Sequence, residues 1–263
     1  MKKILSLSAI VVLLAFSTHQ IIQNANNTVV DGKLFTALFQ QQAAEYNALC
    51  FQAYNIAKLR LDESLKNKST KKRALVTDID ETVLNNSAYA VHQALQGKDY
   101  DAASWAQWTS RAEADTLSGT LSFFKYAASK NVEVFYITNR EEKEREGTLQ
   151  NLKKFGFPYA DNEHLILKQS VSSKEQRRLD VANTHNIVLL LGDNLADFSS
   201  LFDKKTTDER LQNVQLSAAD FGKKFIMLPN PNYGDWESAL YKYNYKLTAQ
   251  QKDSVIKFVL KNY

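Results

Sequence analysis

Residues 74–84 read Ala-Leu-Val-Thr-Asp-Ile-Asp-Glu-Thr-Val-Leu, an apolar run that breaks into two carboxylates, Asp78 and Asp80, one residue apart. Apolar runs of this kind bury both faces in parallel sheets, and such sheets carry their reactive groups just beyond the carboxyl ends of the strands. The stretch therefore points to an α/β fold with a site opening at Asp78 and Asp80. Strict alternation would send the two side chains to opposite faces. Both can serve one ligand only if the chain leaves extended geometry after Asp78.

The remaining chain repeats a strand–helix rhythm. Between Lys33 and Asn67 there is no Pro or Gly, and Leu34, Leu38, Ala44, Leu49, Ala53, Ala57 and Leu61 recur at helical intervals, which predicts one long helix or two in succession. Residues 85–116 hold Tyr89, His92, Tyr100, Trp105 and Trp108 without a strand pattern, and read as a helical insertion above the site. Beyond it the pattern predicts a helix over 117–129, a strand over 132–138 and a helix over 141–155 ending at Gly156. A strand over 164–168, a helix over 173–183, strands over 187–191 and 225–228, and a closing helix over 248–262 follow. Alternation of this kind requires crossover connections between parallel strands. The fold class expected is α/β: a Rossmann-like parallel sheet with helices on both faces, plus a small helical cap and N-terminal helices. Its divisions are a signal peptide over 1–20, a helical segment over 28–70, and a core over 72–263 with the cap at about 85–116.

At 263 residues and 44% hydrophobic, the chain can bury a sizeable core. Lys2-Lys3, the apolar run Ile4 to Phe16 and the small-x-small set Ala15-Phe16-Ser17 read as an export signal, too short to span a bilayer comfortably. No cysteine lies near that cleavage site, so the reading is a periplasmic or secreted protein with no stable membrane anchor. Without the leader lysines the formal charge falls from +4 to +2, too balanced to argue for a nucleic acid polymer as partner. The sole cysteine, Cys50, reads as packing within a helix.

Four strand ends converge on one sheet edge. They carry Asp78 and Asp80, then Thr138-Asn139-Arg140, then Lys168 with Lys174 just beyond, then Asp193 and Asp197. Carboxylates gathered in one cleft repel, roughly 4 kcal/mol for a pair about 4 Å apart at an effective dielectric near 20. A cation is required among them. Oxygen-only ligands select a hard ion, which points to Mg²⁺, and Thr138, Asn139 and a lysine suit the oxygens of a phosphoryl group.

Asp78-Ile79-Asp80-Glu81-Thr82, Tyr136-Ile137-Thr138-Asn139-Arg140, Ser173-Lys174 and Gly192-Asp193-Asn194-Leu195-Ala196-Asp197-Phe198 resemble the four motifs of haloacid-dehalogenase-superfamily phosphohydrolases. Within that superfamily the chain is similar to the bacterial class C, or four-aspartate, acid phosphatases, through to Pro229-Asn230-Pro231-Asn232-Tyr233-Gly234-Asp235-Trp236-Glu237. The resemblance implies that Asp78 attacks phosphorus and that Asp80 protonates the leaving alcohol and then activates water. It implies phosphate contacts from Thr138 and Lys174, with Asn139 beside them. It further implies Mg²⁺ bound by Asp78, the backbone carbonyl of Asp80 and Asp193, with Asp197 acting from behind or through water. Lys168 is the competing lysine; the Ser-Ser-Lys before an Arg pair favours Lys174. Family members are typically exported and many favour 5′-nucleotides or aryl phosphates, which makes Tyr233, Tyr89 and His92 the aromatic contacts expected, with Trp236 after them. A homodimer is compatible with this reading.

Other features have plainer readings. Trp105, Trp108 and Trp236 suit packing; Tyr241, Tyr243 and Tyr245 an aromatic edge on the sheet; residues 141–146 a solvated helix face; and His164 a structural role. Two further functions stay open beside hydrolysis: an exported protein that binds a small ligand without turnover, and phosphoryl transfer to another alcohol.

Overall fold

A computed structural model of the protein describes residues 27–263, and the expected leader over 1–20 lies outside the described residues. The chain opens with α1 (Thr28–Gln42) and α2 (Ala44–Leu65), which are separate helices because Ala43 between them is extended, with φ −80° and ψ 123°. Strand β1 (Lys72–Thr77) leads to the short β2 (Leu84–Asn85), then α3 (Ser87–Leu95), α4 (Ala102–Ser110) and β3 (Asp115–Thr116). There follow α5 (Thr120–Ser129), β4 (Glu133–Ile137), α6 (Arg145–Phe155), β5 (Leu165–Ile166), α7 (Glu175–Thr184) and β6 (His185–Gly192). The chain closes with α8 (Thr207–Leu216), β7 (Phe225–Met227), α9 (Asp235–Leu240) and α10 (Ala249–Val259). Among the described residues no helix is long and apolar enough to cross a membrane.

Five strands form one parallel sheet in the order β5-β4-β1-β6-β7. The chain steps outward from β1 to β4 and β5, then returns to lay β6 on the other side of β1, so β1 ends at the point where strand order reverses. Crevices at such points bind ligands. Side chains alternate cleanly: Leu75, Val134, Tyr136, Leu189 and Leu191 enter a core shared with α2, α5 and α6, whereas Ala74, Val76, Phe135, Ile137 and Leu190 pack on the α7 side. Helices therefore cover both faces, as the unbroken apolar strands demand. Helix α2 contributes Tyr46, Cys50, Ala53, Tyr54, Ala57 and Leu61 to the larger core, with Cys50 fully buried.

The insertion departs from its sequence reading. Its two ends pair as an antiparallel ribbon, Leu84 opposite Thr116 and Asn85 opposite Asp115, too short to show a period-two pattern. Residues 141–146 are not a wholly solvated face either. Glu144 is buried: its side chain accepts from the Glu141 N–H at 2.6 Å and from Thr109 Oγ1 at 3.0 Å, capping the helix and fastening α4 to it. Gly147 completes that junction, since a Cβ there would lie 2.4 Å from the Thr109 carbonyl oxygen. At the opposite sheet edge, Glu133 sits 2.9 Å from Lys72 Nζ and 3.0 Å from His185 Nε2, and His164 Nδ1 lies 2.8 Å from Asp161, ordinary strand-start contacts.

Candidate active site

Strand β1 ends at Thr77, where the chain curls. The amides of Val83 and Leu84 both donate to the Ile79 carbonyl, at 2.7 and 2.8 Å, and Glu81 adopts a left-handed φ of 54°. Ile79 and Val83 are fully buried, so the curl is locked by its own apolar side chains. Extended geometry is abandoned just after Asp78, the condition for Asp78 and Asp80 to address one ligand.

Asp78, Asp193 and Asp197 are buried and each offers an oxygen within 4.8 Å of the others. Lys174, at the start of α7, bonds Asp78 and lies 2.6 Å from Asp197. Asp197 is held by a second bond from the Asn194 N–H at 3.0 Å. It comes this close to β6 because residue 192 is glycine: a Cβ there would meet Asp197 at 2.4 Å. Asp193 accepts from Thr82 Oγ1 at 3.1 Å and from Asn230 Nδ2 at 2.7 Å.

The electrostatics are those of an under-neutralised anionic cluster. Burial, then the charges of Asp197 and Asp78, push the Asp193 carboxyl well above the usual carboxylate range. Burial likewise raises Asp78, with Lys174 pulling it down and Asp197 and Asp80 pushing it up. Burial alone would lower the Lys174 ammonium, but Asp197 and Asp78 hold it above the ordinary lysine value. One ammonium faces three carboxylates. An all-oxygen donor set with that charge deficit can take a divalent cation of the hard type.

Asp80 stands apart from this trio. Its carboxylate accepts from Arg140 Nη2 at 2.7 Å and Nε at 3.1 Å, and from Asn86 Nδ2 at 2.9 Å. Thr138 is fully buried, with Oγ1 accepting from the Arg140 N–H at 3.1 Å; exposed Asn139 accepts from Arg177 Nη2 at 2.7 Å. Of the two competing lysines, Lys174 reaches Asp78, while Lys168 turns to Glu141 at 3.2 Å.

A cleft of about 690 Å³ runs from the acids along Tyr89, Tyr100, Trp105, Tyr233 and Tyr241 to Lys33 on α1. Tyr233 donates its hydroxyl to Glu81, whose carboxyl is pushed up to about 8 by burial and by the Asp80 charge. Tyr89 sets its ring edge-on to Trp105 at 5.0 Å. His92 does not share this wall: it is exposed on α3, where its ring bonds the exposed Gln96 one turn on at 2.7 Å, and that pairing keeps it on the solvent side. Trp236 is 47% exposed and lies off the cleft. Nor do Tyr241 and Tyr245 form an edge on the sheet; they follow α9 and line the cleft, with Tyr243 bonded to the Lys205 carbonyl at 3.0 Å.

Sequence reasoning gave no role to Arg140, Arg177, Asn86, Asn230 or Lys33. Arg140 adjoins Thr138-Asn139 and Asn230 sits between two prolines, so both carried a local signal; Lys33 carried none.

Sheet order, the curl after Asp78 and the acids gathered at the strand ends define a phosphatase of the haloacid dehalogenase type. The chain belongs to the HAD superfamily, subfamily IIIB (Acid phosphatase), whose family pattern matches residues 2–236. It is similar to the class C acid phosphatase from Bacillus anthracis, with a TM-score of 0.86 and 44% identity over 89% of this chain and 99% of that one. The same Bacillus anthracis enzyme with tungstate bound gives a TM-score of 0.85 at 43% identity, covering 89% of this chain and 98% of that one. Acid phosphatase 1 of Solanum lycopersicum is 28% identical over 166 residues, 60% of this chain and 57% of that protein, so the match spans little over half of the tomato enzyme.

Proposed function

We propose that the protein is a Mg²⁺-dependent acid phosphatase that hydrolyses small phosphomonoesters, 5′-nucleotides or aryl phosphates, through an aspartyl phosphate on Asp78. The observation that carries this reading is the buried trio Asp78, Asp193 and Asp197 bridged by Lys174 at the end of β1.

In the first half-reaction a carboxylate oxygen of Asp78 attacks phosphorus, and the bond between phosphorus and the ester oxygen breaks. Asp80 gives its proton to the departing alkoxide. In the second, water attacks the aspartyl phosphate and passes a proton back to Asp80, and the acyl phosphate bond breaks to free Asp78 and inorganic phosphate. This is covalent catalysis with acid and base duties alternating on one group. Thr138 and Lys174 hold the phosphoryl oxygens, with Asn139 at the rim, and Lys174 also orients Asp78. Asp78, Asp193 and the Asp80 carbonyl would hold Mg²⁺, with Asp197 supporting them through Lys174. When bound, Mg²⁺ neutralises phosphoryl charge and offsets the repulsion among the acids. Tyr233 and Tyr89 offer flat surface to an aromatic leaving group.

The leader pattern over 1–20 supports export to the periplasm or medium, and the cleft's size supports a small-molecule partner. The test is release of inorganic phosphate from an aryl phosphate with Mg²⁺ and with chelator, beside Asp78→Asn. Turnover only in wild type with Mg²⁺ is expected; equal rates in all three would sink the proposal.

A further inference from the structure

The mechanism above asks Asp80 to present one oxygen to a leaving group and later to water, and a carboxylate on a curled loop would otherwise rotate freely. Its orientation is over-determined by one side chain. The Arg140 guanidinium, only 1% exposed, reaches both carboxylate oxygens: Nη2 lies 2.7 Å and Nε 3.1 Å from Oδ1, while Nε is 3.2 Å from Oδ2. The third nitrogen, Nη1, donates to Thr148 Oγ1 at 3.0 Å, and Thr148 is itself pinned to the Glu144 carbonyl at 2.7 Å. Asn86 adds a bond to Oδ1 at 2.9 Å and is in turn held by Trp108 Nε1 at 2.8 Å. Oδ1 thus has two donors of its own, Nη2 and Asn86 Nδ2, while the Nε–H is shared between Oδ1 at 3.1 Å and Oδ2 at 3.2 Å. Oδ2 is the oxygen with no donor of its own.

We infer that Arg140 is the positioning residue for Asp80, gripping Oδ1 and fixing the carboxylate plane so that Oδ2 is the oxygen left to serve the leaving group. The inference rests on the reading of Asp80 as acid and base. Arg140 cannot be the acid itself, since a guanidinium keeps its protons, and all three of its nitrogens are engaged with protein groups. A lysine would supply the charge without the planar fork that sets the carboxylate plane.

The consequence is a dependence on leaving group. kcat/KM reports the steps through aspartyl phosphate formation, so an alkyl phosphate, whose alkoxide needs the proton, is compared with 2,4-dinitrophenyl phosphate, whose phenolate does not. Asp80→Asn sets the benchmark for loss of the acid. For Arg140→Gln and Arg140→Lys, kcat/KM on the alkyl ester is expected to fall about 100-fold, and on the dinitrophenyl ester less than about tenfold. Thr148→Val, which removes the Nη1 acceptor and leaves the fork, is expected to lose about tenfold on the alkyl ester only, and carries the test where the Arg140 variants fail to fold by far-UV circular dichroism. Equal losses on both esters in Arg140→Lys and Thr148→Val, with Asp80→Asn still discriminating, would overturn the role of Arg140. If Asp80→Asn itself fails to discriminate while Asp78→Asn is dead, the acid assignment of Asp80 falls, and this inference with it.

Discussion

Replacing Gly192 with alanine tests the site through one methyl group. The new Cβ would lie 2.4 Å from the Cβ and Oδ2 of Asp197, where ordinary van der Waals contact starts near 3.4 Å. Gly192 closes β6, and its neighbours Leu191 and Asp193 are buried, so the strand has little room to retreat. Asp197 must give way by about 1 Å, at an overpacking cost of about 1–3 kcal/mol. That displacement pulls Asp197 from the Asn194 N–H and from Lys174, and Lys174 is the group shared with Asp78. A misplacement of about 1 Å at a reacting centre costs on the order of 100-fold in turnover. Urea unfolding and kcat on an aryl phosphate, read on the same Gly192→Ala preparation, check both figures. A folded variant with wild-type kcat would refute the claim that Asp197 and Lys174 set the geometry of Asp78.

Burial pushes the Asp99 carboxyl up, but Lys33 at 2.6 Å and Lys252 at 2.8 Å outweigh it and hold it at about 2, against an ordinary 3.8. A carboxyl depressed in the fold contributes stability that is complete above its unfolded value and is lost as pH falls through the folded one, so Asp99→Asn should cost about 1–2 kcal/mol at pH 7, after allowance for solvent screening, and almost nothing at pH ~2. Parallel unfolding curves across that range would show otherwise. Mg²⁺ should stabilise the wild type by mass action, by about 2.7 kcal/mol at 100-fold excess over its Kd, and so raise its unfolding midpoint. Asp193→Asn should abolish that gain, and calorimetric scans with Mg²⁺ and with chelator report it. Gly147→Ala should lower stability by about 1–3 kcal/mol, because the added Cβ meets the Thr109 backbone at 2.4 Å; hydrogen exchange should quicken first in α4.

The strands and their order of appearance were readable because β1, β4 and β6 are buried on both faces and so written in unbroken apolar residues. That Asp78, Thr138, Lys174 and Asp193 would fall at one sheet edge was legible because each follows directly on a strand end or opens the next helix, and Asp197 lies on the short turn just after Asp193. His92 was misplaced because position in the insertion does not tell which way a helix turns its side chains. The β2 and β3 ribbon escaped because two residues show no period.

Local sequence dictates where strands stop, and the parallel topology then gathers the stops along one edge; that much of the site follows from hydrophobic burial and chain connectivity. The rest is a matter of three-dimensional partnership. That Arg140 faces Asp80 across 60 positions of sequence, that Lys174 bridges Asp78 over 96, and that Lys33 of α1 joins the cleft wall are decided by how helices pack on the sheet. A polar side chain's partner depends on the final separation and solvation of groups distant in the chain, and neither is encoded in the spacing of residues along it.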